Sequence, residues 1–184
     1  MEIVSISPSK DDAPNWMKAS WLAPRPNTDT AMMLALAYTI VNEGLHNQEF
    51  INRYCVGFEK FMAYLDGKED GIIKNADWAS SITEISALTI KKLARRMASR
   101  RTMLTAAWSL QRGDHGEQPF WALIALASVL GQIGLPGGGF SFGYGSMNGV
   151  GAAREEILTP CMEGLLNPID KAIPVARVAD LLLN

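Results

Sequence analysis

Two stretches of the chain are apolar on nearly every side of a helix. The first runs from Thr28 or Asp29, either of which can cap it, to about Asn42, with Gly44 as its stop. The second covers about Gln118–Ile133. A helix without a polar face is buried on both sides. Between them the pattern predicts short helices over Gln48–Cys55, Phe58–Leu65 and Asp77–Ile82, with a turn at Asp70-Gly71. Ser86 opens an amphipathic helix to about Ser99. Ile90, Leu93, Ala94 and Met97 recur there at helical spacing, and Lys91, Lys92, Arg95 and Arg96 fall on the other side. Those four cations read as a solvated helix face rather than a docking patch.

Strand signals are fewer. Ile3, Val4 and Ile6 form a short apolar run closed by Ser7-Pro8, and Thr102–Trp108 has the composition of a central strand leading into a polar loop, residues 109–117. Residues 9–27, rich in Pro, Asp, Ser and Asn, read as loop. Eight of the sixteen glycines fall within residues 134–151, which predicts positive-φ turns or close backbone approach there. A final helix is expected over Val175–Leu183. Strand, helices, strand and helix in that order predict an α/β fold, a Rossmann-like parallel sheet layer with flanking helices. Two strands cannot cover two doubly buried helices, so the layer reads as incomplete, a piece of something larger. Its domain is placed at 1–151, with 152–184 a truncated connection ending in the terminal helix.

Composition adds exclusions. The chain has 184 residues, 48% hydrophobic and 20% charged, which is globular rather than disordered. A net charge of −2 gives no electrostatic case for nucleic acid or an anionic membrane as partner. Cys55 and Cys161 stand far apart, as do His46 and His115, so neither a disulfide framework nor a metal-ligand spacing is present. The longest apolar stretch, 120–135, is broken by Ser128, Gly131, Gln132 and Gly134 and is shorter than a membrane span. With no basic leader at its start, the chain as written is expected in the cytoplasm; a periplasmic location for a longer parent stays open.

In a parallel α/β sheet, ligands bind beyond the carboxyl ends of the strands. Three segments belong at that edge: Ser7-Pro8, the run Pro24-Arg25-Pro26-Asn27-Thr28-Asp29, and Trp108-Ser109-Leu110-Gln111-Arg112. A carboxylate at Asp29 can accept two parallel hydrogen bonds from a guanine edge, Asn27 and Thr28 add donors, and Arg25 suits a phosphate. The alternative is that Asp29 simply caps the helix. Trp108, Gln111 and Arg112 can line a pocket, stack on a planar ring and hold a pyrophosphate; the alternative is a core Trp beside a surface Arg. His115, between Asp114 and Glu117, reads as a loop histidine satisfied by a neighbour. No nucleophile–base spacing points to covalent catalysis, and Gly137-Gly138-Gly139 opens no phosphate loop.

At these same segments the sequence resembles the molybdopterin oxidoreductases, in particular the branch reducing trimethylamine N-oxide, dimethyl sulfoxide and biotin sulfoxide. The resemblance rests on Arg-Pro-Asn-Thr-Asp-Thr-Ala-Met-Met-Leu-Ala-Leu-Ala (25–37), Phe-Ile-Asn-Arg-Tyr-Cys-Val-Gly-Phe-Glu (50–59) and Trp-Ser-Leu-Gln-Arg (108–112). It continues through His-Gly-Glu-Gln (115–118), Leu-Gly-Gln-Ile-Gly-Leu-Pro-Gly-Gly-Gly-Phe (130–140) and Ile-Pro-Val-Ala-Arg (173–177). These run in one unbroken order over nearly the whole chain.

Members of that family are much longer and hold molybdenum in a bis-molybdopterin guanine dinucleotide. The resemblance therefore implies an internal fragment of a molybdenum oxidoreductase, part of the cofactor site and inactive alone. It implies that Ser7-Pro8 ends the strand beside a guanosine and that Asp29 reads guanine, with Arg25 and Asn27 near the same dinucleotide. Trp108, Gln111 and Arg112 are implied along the pterin and the substrate funnel. No catalytic residue and no metal ligand is assigned, because the branch's molybdenum-ligating serine belongs to an earlier region. The implied partners are the remainder of the reductase chain and a small S- or N-oxide; the fragment itself is expected to be cofactor-free, with exposed apolar surface open to self-association. Two other readings stand beside this one: a freestanding guanine-nucleotide-binding domain and a non-catalytic structural remnant.

Overall fold

A computed structural model describes residues 1–142. The chain opens with β1 (Val4–Ile6), passes two single 3-10 turns at Lys10–Asp12 and Asn15–Met17, and returns as β2 (Ser20–Leu22). Six helices and two strands follow. These are α1 (Asp29–Asn42), α2 (Gln48–Tyr54), α3 (Phe58–Leu65), α4 (Ala76–Thr83), α5 (Ala87–Ala98), β3 (Met103–Ala106), α6 (Gln118–Leu130) and β4 (Gly139–Phe142). The expected helix over Val175–Leu183 and the 151/152 boundary lie outside the described residues.

The expected α/β class with parallel strands is present, built differently in detail. β1 pairs with β2 in parallel, Val4 opposite Ser20 and Ile6 opposite Leu22. β3 pairs with β4 in parallel, Met103 opposite Gly139 and Ala106 opposite Phe142. The described residues thus hold two separate two-stranded sheets rather than one layer. Reading residues 9–27 as loop throughout missed β2. Its three residues carry no alternation, and Trp21 keeps 41% of its surface exposed, so no buried face marks the strand in sequence. The glycine-rich stretch likewise hides β4: Gly134, Gly137 and Gly139 take positive φ, as their density predicts, and Gly139 then starts the strand.

α1 is the centre of the core. Ala31, Met32, Leu34, Ala35, Leu36, Ala37, Thr39 and Ile40 are all buried, and the helix packs against α4, α5 and α6. Burial on every side explains its all-round apolar sequence; each fully buried Leu, Ile or Met adds about 1.5–3 kcal/mol. Thr39, the one polar residue inside, donates its hydroxyl to Ala35 O at 2.8 Å. α6, the second such helix, ends at Leu130 rather than Ile133. Gly131 adopts the left-handed conformation and donates to Ala127 O and Ser128 O, a terminus only glycine enters without strain.

Gln132 then ties that terminus to the second sheet. Its Oε1 accepts from Thr102 N at 2.7 Å and its Nε2 donates to Arg100 O at 2.8 Å. α5 is amphipathic as its spacing predicts, and its cations are largely paired: Arg95 with Glu43 at 2.7 Å, Arg96 with Glu2 at 2.8 Å and Lys91 with Asp77 at 3.4 Å. A buried lysine, Lys74, was not foreseen. It donates to both oxygens of Asp70 and to Ile72 O, with the rings of Tyr64 and Trp78 beside it.

Candidate functional site

The carboxyl ends of β1, β2 and β3 lead into the three segments named from sequence. Ser7, directly after β1, is engaged on every side. Its N–H donates to Leu22 O at 3.1 Å, its carbonyl accepts from Trp21 Nε1 at 2.8 Å, and its hydroxyl donates to Asp12 while accepting from Ser9 N. Pro8 beside it is exposed. Ser7 and Pro8 therefore form a locked turn that fixes the end of β1 against β2.

The run after β2 is anchored by Arg25 N donating to Thr83 O at 2.9 Å. Thr28 occupies the cap position of α1, yet its hydroxyl donates back to Arg25 O at 2.6 Å instead of accepting from the helix. Asp29 is the first helical residue rather than the cap. Its carboxylate is half-buried, and this loss of water raises its pKa above the usual carboxylate value, with only its own backbone amide opposing the shift. Among the described residues no other group hydrogen-bonds to it. The capping alternative does not account for that carboxylate. Asn27 holds a left-handed φ of 63°, and the side chains of Arg25 and Asn27 are exposed.

After β3 the strand ends at Ala106, two residues before the predicted end, and Trp108–Arg112 winds into a 3-10 helix. Trp108 is 44% exposed, so the core-tryptophan alternative fails. Gln111 and Arg112 are exposed, and neither makes a hydrogen bond or ion pair among the described residues. His115 lies on an exposed loop with its ring nitrogens 3.8 Å from an Asp114 oxygen and 3.9 Å from a Glu117 oxygen, longer than hydrogen bonds.

Two glycines that the sequence reading passed over shape this loop. A Cβ on Gly116 would lie 2.2 Å from Gln111 O, so the chain folds back on its own 3-10 helix only because no side chain is there. A Cβ on Gly113 would lie 2.7 Å from Asn27 Oδ1. The loops after β2 and β3 thus touch, through Asn27 and Gly113. Given about 3.8 Å per Cα step and about 2 Å rise per residue in a 3-10 helix, the Asp29 and Trp108 Cα atoms lie at most about 27 Å apart. The signal for these glycines was their position beside a polar strand exit, where residue type alone gives no hint of a close approach.

A separate cavity of about 250 Å³ opens between α2, α3 and α6, lined by Ile51, Tyr54, Phe58, Phe61 and Val129 among others. Cys55 and others of the 50–59 segment that carries the family resemblance border it, but none of the residues expected to bind the cofactor does. Among the described residues no group of three or more His, Cys, Asp and Glu could hold a metal ion, and no helix is long and apolar enough to cross a membrane.

The family model described as molybdopterin oxidoreductase matches residues 1–172. The chain belongs to the molybdopterin oxidoreductase family. Biotin sulfoxide reductase of Cereibacter sphaeroides is 51% identical over 184 residues, covering 100% of this chain and 25% of that protein. Dimethyl sulfoxide/trimethylamine N-oxide reductase of Rhodobacter capsulatus is 45% identical across 100% of this chain and 24% of its own length. Trimethylamine-N-oxide reductase of Haemophilus influenzae is 43% identical, with 99% and 23% covered. The chain spans about a quarter of the length of these relatives. Acetylene hydratase from Pelobacter acetylenicus shares the fold, with a TM-score of 0.62 at 23% identity over 72% of this chain and 18% of that one. Family membership thus rests on the sequence, and the fold agrees with it.

Proposed function

We propose that this molybdopterin oxidoreductase chain supplies part of the cofactor-binding core of an S- or N-oxide reductase. When bound, the molybdenum cofactor supplies the two-electron chemistry that removes oxygen from the oxide, and the polypeptide positions that cofactor. The chain's similarity to the sulfoxide and N-oxide reductases above supports the substrate class.

The residues present suit a guanine dinucleotide form of the cofactor. Asp29 is a half-buried carboxylate with no partner beyond its own amide, at the start of a buried helix. In the proposed complex it accepts the N1–H and N2–H of guanine, hydrogen bonds that would offset its desolvation. Arg25 and Asn27 offer exposed donors on the same loop. Trp108 offers an aromatic face, and Gln111 and Arg112 add polar groups toward the pterin end. Ser7 and Pro8 hold the end of β1 beside the nucleoside. The remainder of the reductase chain is the natural cover for the exposed apolar residues, among them Trp16, Val56 and Trp121.

The observation that carries the reading is the Asp29 carboxylate, with no partner beyond its own amide, at the start of α1 beside a loop that meets the Trp108 loop. Isothermal titration of the 184-residue chain with GDP and ADP tests it. GDP binding, at least tenfold weaker binding of ADP, and loss of the GDP signal in Asp29→Asn are expected. Equal affinity for the two nucleotides, or an unaffected Asp29→Asn variant, would contradict it.

A further inference from the structure

Gly113 lies in neither cofactor-reading segment, yet it is where the two segments meet. Its α-carbon faces Asn27 Oδ1 so closely that a Cβ would come within 2.7 Å of that oxygen and 3.5 Å of Asn27 Cγ. Real side chains do not sit at the first of these distances. Asn27 in turn holds φ of 63°, a conformation that asparagine tolerates better than most other non-glycine residues.

With the amide oxygen seated on Gly113, the amide nitrogen is left over. Among the described residues it donates to nothing, and Asn27 is exposed. Asn27 stands two residues from Asp29, whose carboxylate is also without a protein partner beyond its own amide. Two groups of opposite polarity therefore stand two residues apart where the loop enters α1, an acceptor suited to a base edge and an exposed donor suited to a sugar or phosphate oxygen.

We propose that Gly113 is a positioning residue that seats the Asn27 side chain, so that the Asn27 amide nitrogen is held as a donor for the nucleotide that Asp29 reads. This rests on the guanine reading of Asp29 above. Because the seat belongs to the Trp108 loop, the donor is in place only when the two loops are docked together. Nucleotide affinity at the β2 loop thereby depends on a residue that touches no nucleotide.

The obstructing atom is the end of a flexible side chain, not backbone, so Gly113→Ala should turn the Asn27 amide aside at little cost to the fold. Three variants of the full 184-residue chain separate this from a structural role: Gly113→Ala, Asn27→Ala and the double variant. Two readouts are used, the Asn27 side-chain amide resonances by NMR and the affinity for GDP. In Gly113→Ala the Asn27 amide resonances should shift while Tm stays near that of the parent chain. GDP affinity should fall about tenfold, the loss of one hydrogen bond to a charged group. Asn27→Ala should lose the same factor, and the double variant no more than either single one, since both remove one interaction. Unmoved Asn27 resonances, undiminished GDP affinity in Gly113→Ala, or additive losses in the double variant would each overturn the proposal. A parent chain that does not bind GDP would remove the guanine reading and this inference with it. A binding parent chain with an unaffected Gly113→Ala variant would remove this inference alone.

Discussion

At Asp29 the proposed binding role and the stability of the ligand-free fold pull in opposite directions. Its position in the first turn of α1 favours a negative charge, but burial outweighs that and raises its pKa. A carboxyl with a raised folded pKa binds more protons folded than unfolded, so its contribution to stability falls as pH rises past the ordinary carboxylate range. At neutral pH the charge is therefore a net burden on the ligand-free fold. Asp29→Asn should raise the Tm of the ligand-free chain at pH 7, an advantage that shrinks as the pH is lowered toward 4. Thermal denaturation at the two pH values checks it, and a lower Tm at pH 7 would show that the charge is already satisfied. Gly116 behaves differently from Gly113 because the atoms in its way are backbone: a Cβ would meet Gln111 O, C and Cα, all within 2.7 Å. Gly116→Ala should cost about 1–3 kcal/mol in denaturant unfolding and displace Trp108–Arg112.

Among the elements, legibility in sequence followed burial. α1 and α6 could be read because a helix wrapped by the protein is apolar all round, and both were found within a few residues of their true ends. Leu36→Ala or Ile40→Ala in α1 should destabilise by about 2–5 kcal/mol, as expected for side chains that are 2% and 0% exposed. β2 and β4 could not be read. Three residues with an exposed Trp21, and four beginning at a positive-φ glycine, carry too little alternation to announce a strand; what specifies each is its partner. The β3 exit was read two residues too long because Ala107 and Trp108 are as apolar as the strand before them. Gln132 shows what composition hides, since one side chain satisfies both Thr102 N and Arg100 O. Gln132→Ala should leave Thr102 N without its partner and Arg100 O with only the 3.3 Å bond from the Thr102 hydroxyl, and cost about 1–3 kcal/mol, measurable by urea denaturation.

Across the described residues, charge is arranged largely in local pairs. The cations of α5 that read as a solvated face are mostly matched by Glu2, Glu43 and Asp77 from elsewhere in the chain. Hydrogen bonds from Arg95 and from Lys74 hold the carboxyls of Glu43 and Asp70 below their usual range. A lowered folded pKa means fewer protons bound folded than unfolded, so this stability is present at neutral pH and disappears as pH falls through the lowered values. The chain should lose stability on acidification below about pH 4, and Asp70→Asn should flatten that acid limb. The candidate site was read as three exits from one parallel sheet; the described residues divide them, with β1 and β2 in one two-stranded sheet and β3 in the other. That two of those exits touch through Asn27 and Gly113 was not legible, since a contact between a glycine and an amide oxygen leaves no trace in residue spacing.

The central claim is that the loops after β2 and β3 form one crevice for a guanine nucleotide, and amide chemical-shift mapping of the 184-residue chain with GDP tests it most directly. The account predicts concerted, saturable shifts at residues 25–29 and 108–113 with one shared dissociation constant. Shifts confined to one of the loops, or clustered instead around Ile51–Phe61 and Ala125–Val129, would contradict it.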